Sequence, residues 1–505
     1  MPSSRTKRDG EITPSLDAAK SFLQSKLGLQ PDSLRHISGH TSDIASHEYF
    51  SQVFNGIPVA NAVANVALVN GAVVSFGSSF VKPTNIASAQ PAMSPSEAIS
   101  AAQLALGGEY NGWPTSLEYF AKDDGSLVLT HVVQIENIQT ADWYEAFVDA
   151  STGEIVNVND FVADASYLAV PSKFQDIRGG YAVQNDPADK SASPNKWHTY
   201  NGRTRSRTDG NNALAYYGAS TDNSVEQSSR LNNYNYRFNP STSPGTLVNK
   251  KASAVNAFYM VNMLHDYTYK YGFTEDARNF QLANNNKGGL GNDRVNISVQ
   301  DPSGFNNARF ATPPDGQNGK MTMLIWNYTT PNRDSAMSND VIAHEYGHGV
   351  SNRLTGGGTG RCLQELEPRS LGEGWSDTLA RLTETNSARD IDFTLGSYLM
   401  GNTLGIRKYP YSTNMKTNPL TYSAFSPNKT RHDNGAIWAS IWHEIITSLL
   451  QQDGYSATKN NANSKGGNIV AMHLFIDGMK LQPCSPTFLD ARNGNSRTIE
   501  MTNAY

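Results

Sequence analysis

The chain lacks three features that would point to other classes of protein. It has 505 residues, but no apolar run reaches the ~18–20 residues that a membrane-spanning helix needs. Its net charge of −5 gives no reason to expect a nucleic-acid partner. Charged residues make up only 17% of the chain, below the usual ~25%. What remains is a globular composition too long for one compact core, so two or three domains are expected.

Cysteine is scarce, with only Cys362 and Cys484. The pair either forms one disulfide or stays as two free thiols, and the sequence leaves both alternatives open. Two cysteines cannot complete a zinc-finger set, so any zinc site must use histidines and carboxylates.

A complete secretory signal is also missing, because no apolar stretch follows the basic residues 1–8. Three N-glycosylation sequons nevertheless begin at Asn296, Asn327 and Asn428. Chains of this size carry a few sequons by chance, so they favour an extracellular protein only weakly.

The N-terminal part of the chain, residues 1–163, has an α+β pattern. Two strand-like runs flank Asn70-Gly71, a strong hairpin-turn signal. Ser94 and Glu97 have the spacing of a capping box and predict the start of an Ala-rich helix. This part contains no catalytic cluster, which is typical of a small folding or inhibitory domain.

The rest of the chain divides into two differently built parts. Residues 164–337 are rich in Asn, Ser, Tyr and Gly and predict strands and loops, with helical periodicity from Ala252 to Tyr271. Residues 338–505 predict mainly helices separated by Gly-rich loops. The fold class is therefore α+β, with a β-rich part and a helical part in this second region.

The segment His344-Glu-Tyr-Gly-His348 predicts a zinc site. On an α-helix, residues four apart share a face, so both imidazoles could bind one metal ion. Glu345 would lean over the open coordination position and act as general base and acid. Gly347 and Gly349 each disfavour a helix by about 1 kcal/mol relative to alanine, so a helix here would need close packing at those positions.

Glu373 is the best candidate for the third protein ligand that zinc requires. Asp377 lies four residues further on, so on a helix it shares that face and could orient a ligating histidine. The metzincin alternative needs a third histidine where this chain has Leu354, and a glycine where it has Ser351, and is rejected. A closed structural zinc site is disfavoured because three ligands and an acid/base glutamate describe an open site.

Two further segments could contact a peptide substrate. His432 precedes a long apolar helix and is the candidate group for stabilising the oxyanion. Asn307 and Ala308 precede a probable strand, whose backbone could pair with a bound peptide as an added strand.

Six segments together resemble the fungalysin family, secreted fungal zinc endopeptidases related to thermolysin. They are Phe310-Ala-Thr-Pro-Pro-Asp-Gly316, His344-Glu-Tyr-Gly-His-Gly349, Ser351-Asn-Arg-Leu-Thr-Gly-Gly357, Gly372-Glu-Gly-Trp-Ser-Asp377, Tyr409-Pro-Tyr-Ser412 and Asp477-Gly-Met-Lys-Leu-Gln-Pro-Cys484. The resemblance covers most of residues 250–492 and implies a thermolysin-like catalytic domain, with its active site between the β-rich part and the helical part.

The resemblance also implies a role for each candidate residue. Residues 1–163 would be the family's propeptide, with fungalysin/thermolysin and PepSY-like modules, which assists folding and inhibits the enzyme until it is removed near Ala163-Asp-Ala-Ser166. Residues 164–505 would be the peptidase domain, acting on proteins and peptides outside the cell. One zinc ion would be held by His344, His348 and Glu373. Glu345 and His432 would act in catalysis, and Asp377 would orient a ligating histidine. Asn307 and Ala308 would bind the backbone of the substrate.

Two matters stay open in the sequence. The similarity is expected to stop after Arg492, which would leave Cys484 without the partner it has in the family and suggests a truncated product. A non-catalytic protein, such as a latent form or an inhibitor acting through residues 1–163, is therefore kept as an alternative. Calcium sites are undecided, because no EF-hand loop is present.

Overall fold

The computed structural model describes residues 14–41, 45–137, 142–160, 165–229, 232–389 and 391–502. The chain separates into two compact units, Met1–Val162 and Ala163–Tyr505. Within the described residues, no helix combines the length and the apolar character that a membrane span requires. Residues 161–164 lie outside the described ranges, and the first two residues of the predicted cleavage segment, Ala163 and Asp164, fall among them.

The N-terminal unit is built on one ten-stranded sheet with two helices. Its central strand order is β1-β2-β3-β7-β8-β9-β10, with β4 paired to β3, and with β5 and β6 paired to β8. The helices are α1 (Pro14–Leu27) and α2 (Pro95–Leu106); the strands are β1 (Leu34–Thr41), β2 (Ser46–Phe54), β3 (Ile57–Val69), β4 (Ala72–Ser78), β5 (Asn85–Ile86), β6 (Glu109–Tyr110), β7 (Ser116–Ala121), β8 (Ser126–Asn137), β9 (Asp142–Asp149) and β10 (Ile155–Asp160).

Two local predictions for this unit are confirmed. Strands β3 and β4 form the hairpin around Asn70-Gly71, with Val69 paired to Ala72. Ser94 caps α2 by accepting from the backbone N–H of Glu97, and the Glu97 side chain accepts from the Ser94 N–H. Both features arise from short-range backbone chemistry, which is why spacing alone identifies them.

The second unit begins with short strands. A four-stranded sheet has the order β15-β17-β19-β18, so β18 is an edge strand, antiparallel to β19. The strands are β11 (Ser166–Ala169), β12 (Ala182–Asn185), β13 (Thr199–Tyr200), β14 (Arg203–Thr204), β15 (Ala213–Tyr217), β16 (Asn233–Tyr234), β17 (Val295–Val299), β18 (Ala308–Ala311), β19 (Gly319–Met323), β20 (Ile325–Trp326) and β21 (Arg333–Asp334).

Helices predominate in the part of this unit after residue 338, as expected for an α+β fold. They are α3 (Leu247–Lys270), α4 (Asn339–Leu354), α5 (Leu366–Glu384), α6 (Ser397–Met400), α7 (Arg431–Asp453), α8 (Gly467–Leu481) and α9 (Phe488–Thr502). Trp375 of α5 packs against Trp438 and Trp442 of α7, each with ring centroids 5.2 Å apart. These buried aromatic contacts join α5 to α7 next to Glu373.

The C-terminal region differs from the sequence-based expectation. Cys362 and Cys484 form a disulfide, with their Cα atoms 4.6 Å apart. Of the two alternatives that the sequence left open, the structure thus has the disulfide. Helix α9 also continues beyond Arg492, where similarity to the family was expected to stop. Phe488 at its start contacts Trp438 of α7, with ring centroids 5.5 Å apart, so α9 adds to the aromatic packing behind α7.

Candidate metal centre

Helices α4 and α5 approach closely because one position on α4 is a glycine. A Cβ atom at Gly347 would lie 2.7 Å from the Cα of Ser376, closer than real Cβ atoms come. Gly349 is confined as well, since a Cβ there would lie 2.8 Å from the Phe280 ring. The close packing expected at these two glycines is thus present, and it brings the histidines of α4 near the carboxylates of α5.

Three ligand-type side chains converge at this crossing. One donor atom each from His344, His348 and Glu373 can be chosen so that all lie within 4.8 Å of one another. Glu373 Oε2 is 3.5 Å from His344 Nε2 and 3.8 Å from His348 Nε2. That oxygen is buried and has no hydrogen-bond partner within the described part of the chain. Native structures rarely leave such an atom unpaired unless a site or an ion uses it.

His344 is held in place from behind by Asp377. The imidazole Nδ1 and Asp377 Oδ1 are 2.6 Å apart. Arg407 donates to the same carboxylate from Nε and Nη2, both at 2.8 Å, and the Tyr411 hydroxyl donates to it as well. An ionised Asp377 requires a proton on Nδ1 of His344, and the other ring nitrogen, Nε2, faces Glu373.

Burial and charge act differently on the two imidazoles of α4. Burial lowers the pKa of His344, but the Asp377 carboxylate outweighs it and raises that pKa to about 10. Burial lowers the pKa of His348 to about 4. Burial would raise the pKa of Asp377, but the Arg407 guanidinium holds it well below its usual range. The carboxylate behind His344 is therefore ionised, and the His348 ring is neutral at neutral pH.

Glu345 is a buried carboxyl group beside this cluster. Its exposed fraction is 4%, and its Oε2 has no hydrogen-bond partner among the described residues. Burial raises the pKa of Glu345 to about 7. A carboxyl group with a pKa near neutrality can both accept and return a proton, as a general base and acid must.

The first turn of α7 meets Glu373 from the opposite side. Arg431 Nε donates to Glu373 Oε1 at 2.9 Å, and His432 Nε2 lies 3.2 Å from the same oxygen. A second pair of glycines permits this approach: a Cβ at Gly435 would lie 2.6 Å from the Cβ of Glu373, and a Cβ at Gly374 would lie 2.7 Å from the Gly435 carbonyl. Half of the His432 side chain, 47%, is exposed, so one side of the cluster is open to solvent.

The predicted substrate-backbone segment lies at the edge of the four-stranded sheet. Ala308 begins β18 and pairs with Met323, and the Asn307 carbonyl accepts from the Leu324 N–H at 3.3 Å. Just after β18, the Thr312 hydroxyl donates to the carbonyl of His348 at 3.4 Å. The end of the edge strand β18 therefore lies against α4. Among the hydrogen bonds of the described residues, none joins Asn307 or Ala308 to the cluster of His344, His348 and Glu373.

Comparison of the sequence with known protein families adds to this description of the site. Residues 166–500 match the family model described as fungalysin metallopeptidase. The chain belongs to the fungalysin family. Residues 35–80 of this fungalysin match the fungalysin/thermolysin propeptide motif, in the N-terminal unit. The family match extends to residue 500, so the expectation that similarity ends at Arg492 is wrong.

Curated relatives agree over most of the chain. An extracellular metalloproteinase MEP of Pyricularia oryzae is 40% identical over 495 residues, which cover 89% of this chain and 77% of the relative. Extracellular metalloproteinase 9 of Uncinocarpus reesii is 38% identical, and extracellular metalloproteinase mep of Aspergillus fumigatus is 36% identical, with the same two coverages. This fungalysin is therefore a metallopeptidase that carries a propeptide motif.

The sequence predicted the candidate ligands, the base, Asp377 and His432, but it missed three residues that bind the carboxylates of α5. Arg407 and Tyr411, both bound to Asp377, were not predicted. Neither was Arg431, whose only signal is its place beside His432. Residues 30 or more apart in the chain meet here through helix packing, and no short spacing indicates such contacts.

Proposed function

We propose that this fungalysin is a secreted zinc endopeptidase whose metal ion is held by His344, His348 and Glu373. The observation that carries the proposal is the set of two imidazoles and one carboxylate, with His344 and Glu373 buried and His348 partly exposed, and with Glu373 Oε2 unpaired within the described chain. Two nitrogen ligands and one oxygen ligand with a fourth position open are the donor set of a catalytic zinc site. A zinc ion bound there would polarise the scissile carbonyl and acidify the attacking water.

The chain's own residues would then divide the proton chemistry among them. Glu345 takes the proton of the attacking water and returns it to the leaving amine, which its raised pKa of about 7 favours. His432 stabilises the oxyanion by a hydrogen bond, consistent with its half-exposed position beside Glu373. Asp377 keeps His344 in the tautomer that presents Nε2. The backbone of Asn307 and Ala308 pairs with an extended substrate.

The N-terminal unit is the inhibitory and folding segment of this proposal. Residues 1–163 would form the propeptide and residues 164–505 the peptidase, with cleavage near Ala163–Ser166. The propeptide motif at residues 35–80 supports this division. N-terminal sequencing of the mature enzyme tests it directly, and a mature chain that begins well before residue 163 or well after residue 166 would contradict it.

Secretion and glycosylation belong to the same proposal, because the relatives are named extracellular metalloproteinases. Of the three sequons, Asn327 and Asn428 are exposed. Asn296 lies on the inner strand β17, and its side-chain oxygen is buried. A glycan can be accommodated at the first two positions and not at the third.

Glu345→Gln tests the proposed function. The variant should keep one zinc ion per chain and lose about 10²–10⁴-fold in kcat on a peptide substrate, since it keeps the shape of the side chain and removes the base. Glu365→Gln, on the exposed residue before α5, is the matched control and should retain full activity. Chelation should abolish wild-type hydrolysis, and zinc should restore it. Undiminished hydrolysis by Glu345→Gln, or chelator-insensitive activity, would contradict the proposal and favour a non-catalytic role.

A further inference from the structure

The two oxygens of Glu373 have different surroundings. Oε2 faces the imidazoles of His344 and His348 at 3.5 and 3.8 Å, with Arg407 Nη2 also at 3.8 Å. Oε1 points the other way and accepts from Arg431 Nε at 2.9 Å. A carboxylate anchored through one oxygen offers the other oxygen in a defined direction. The geometry therefore separates an inner oxygen, suited to a metal, from an outer oxygen that is already bound.

Arg431 occupies a position that is unfavourable for a cation by local rules. It is the first residue of α7, a helix of 23 residues. The positive end of the helix dipole lies there and disfavours a cation. Within the described part of the chain, the carboxylate paired with Arg431 is that of Glu373. Residues that are unfavourable for their local position, such as a cation at a helix N-terminus, tend to occur at functional sites.

The contact between Arg431 and Glu373 is imposed by the packing of α7 on α5. Gly435 and Gly374 let the two helices approach until a Cβ at position 435 would touch the Cβ of Glu373. The Arg431 side chain is 46% exposed, whereas that of Glu373 is only 4% exposed. One half of the guanidinium thus reaches a buried anion while the other half stays in water, as the long arginine stem permits.

We propose that Arg431 is a positioning residue, which holds Glu373 Oε1 so that Oε2 alone is presented between His344 and His348. This inference rests on the proposed zinc site. His432 Nε2 also lies 3.2 Å from Oε1, but the bond from Arg431 Nε is shorter, at 2.9 Å, so the anchoring is assigned to Arg431. An ordinary half-exposed ion pair adds little to stability, and without a positioning role its removal should leave metal affinity unchanged.

The test measures zinc affinity rather than activity. Full-length protein is stripped of metal and titrated with zinc against a chromophoric chelator, for wild type, Arg431→Ala, Arg431→Lys and Arg431→Gln. Loss of a group that orients a ligand lowers metal affinity about 10–100-fold. We expect that loss for Arg431→Ala, with partial recovery in Arg431→Lys, which keeps the charge, and in Arg431→Gln, which keeps an N–H donor.

Two controls separate the possible failures. Arg492→Ala removes an exposed arginine of α9 and should leave zinc affinity unchanged. His348→Ala removes a proposed ligand and should abolish stoichiometric zinc binding. If Arg431→Ala binds zinc within about twofold of wild type while His348→Ala does not bind it, the positioning role is overturned and the zinc site stands, since a lost orienting group should cost tenfold or more. If His348→Ala binds as well as wild type, the zinc site itself is wrong.

Misfolding of one variant does not obscure the result. The thermal unfolding of the zinc-free proteins is compared first, and any variant that unfolds below the wild type by more than Arg492→Ala is set aside. Arg431→Met then carries the test, because a methionine keeps much of the stem but neither the charge nor an N–H donor. Wild-type zinc affinity in a folded Arg431→Met would overturn the proposal.

Discussion

Helix α4 and the first turn of α7 meet the same carboxylate from opposite sides, and they differ in almost every physical respect. The cluster face of α4 is buried, and His344 is tied to a network of Asp377, Arg407 and Tyr411. On α7, Arg431 and His432 are about half exposed. The buried α4 side can therefore hold a metal ion rigidly, while the half-exposed first turn of α7 can contact a substrate.

Substitution of His432 sharpens this comparison most strongly. His432→Phe should lower kcat about 10²–10³-fold, the cost of losing one oxyanion donor. Zinc affinity should change far less, because Arg431 still holds Glu373 Oε1. Steady-state kinetics and a zinc titration on one preparation distinguish the two effects. Equal losses in both would mean that His432, and not only Arg431, holds the metal ligand Glu373.

On the buried side of Glu373, Asp377→Asn should lower zinc affinity much more than it lowers kcat. The uncharged amide no longer favours the proton on His344 Nδ1, so zinc affinity should fall about 10–100-fold. Kinetics measured at saturating zinc should recover most of the activity. Asp453→Asn, on the exposed end of α7, is the matched control. Wild-type zinc affinity in Asp377→Asn would contradict the role of the buried network.

Gly435→Ala tests whether helix packing is what joins the two sides. The added methyl would lie 2.6 Å from Glu373 Cβ and 2.8 Å from the Ser370 carbonyl, so α7 must move outward. Overpacking of this kind costs about 1–3 kcal/mol of unfolding free energy, and it should weaken zinc binding as well. At Gly372 the added methyl would meet only Leu363, at 3.6 Å. Gly372→Ala should therefore be neutral or stabilising in denaturant unfolding, and equal destabilisation of both variants would contradict the account.

The smallest effect is expected just before α7, at the sequon Asn428-Lys-Thr430. Thr430 also caps α7, accepting from the Asp433 N–H at 3.1 Å. Asn428→Gln and Thr430→Asp should each remove one glycan from protein secreted by a eukaryotic host while keeping the cap. Thr430→Ser should retain both, and Asn296→Gln should leave the glycan count unchanged. Mass spectrometry gives the count, and a glycan on Asn296 would contradict the buried assignment.

The sequence predicted what local periodicity determines. His344, Glu345 and His348 follow from spacing on one helix, and Asp377 follows from its place four residues after Glu373. Arg407 and Arg431 could not be predicted in the same way, because they reach their carboxylates across 30 and 58 residues of chain. The pairing of Cys362 with Cys484 was left open for the same reason, with 122 residues between them. Such contacts depend on how helices pack, and packing at glycines leaves no periodic signal.

The most direct test of the central claim is anomalous diffraction at the zinc edge from crystals of the zinc-loaded enzyme. We expect one strong peak in the anomalous difference map, at about 2.0–2.2 Å from the Nε2 atoms of His344 and His348 and from Glu373 Oε2. Arg431 Nε should remain within hydrogen-bond distance of Glu373 Oε1. A peak away from these three residues, or one bound through Oε1 with Arg431 displaced, would contradict the central claim.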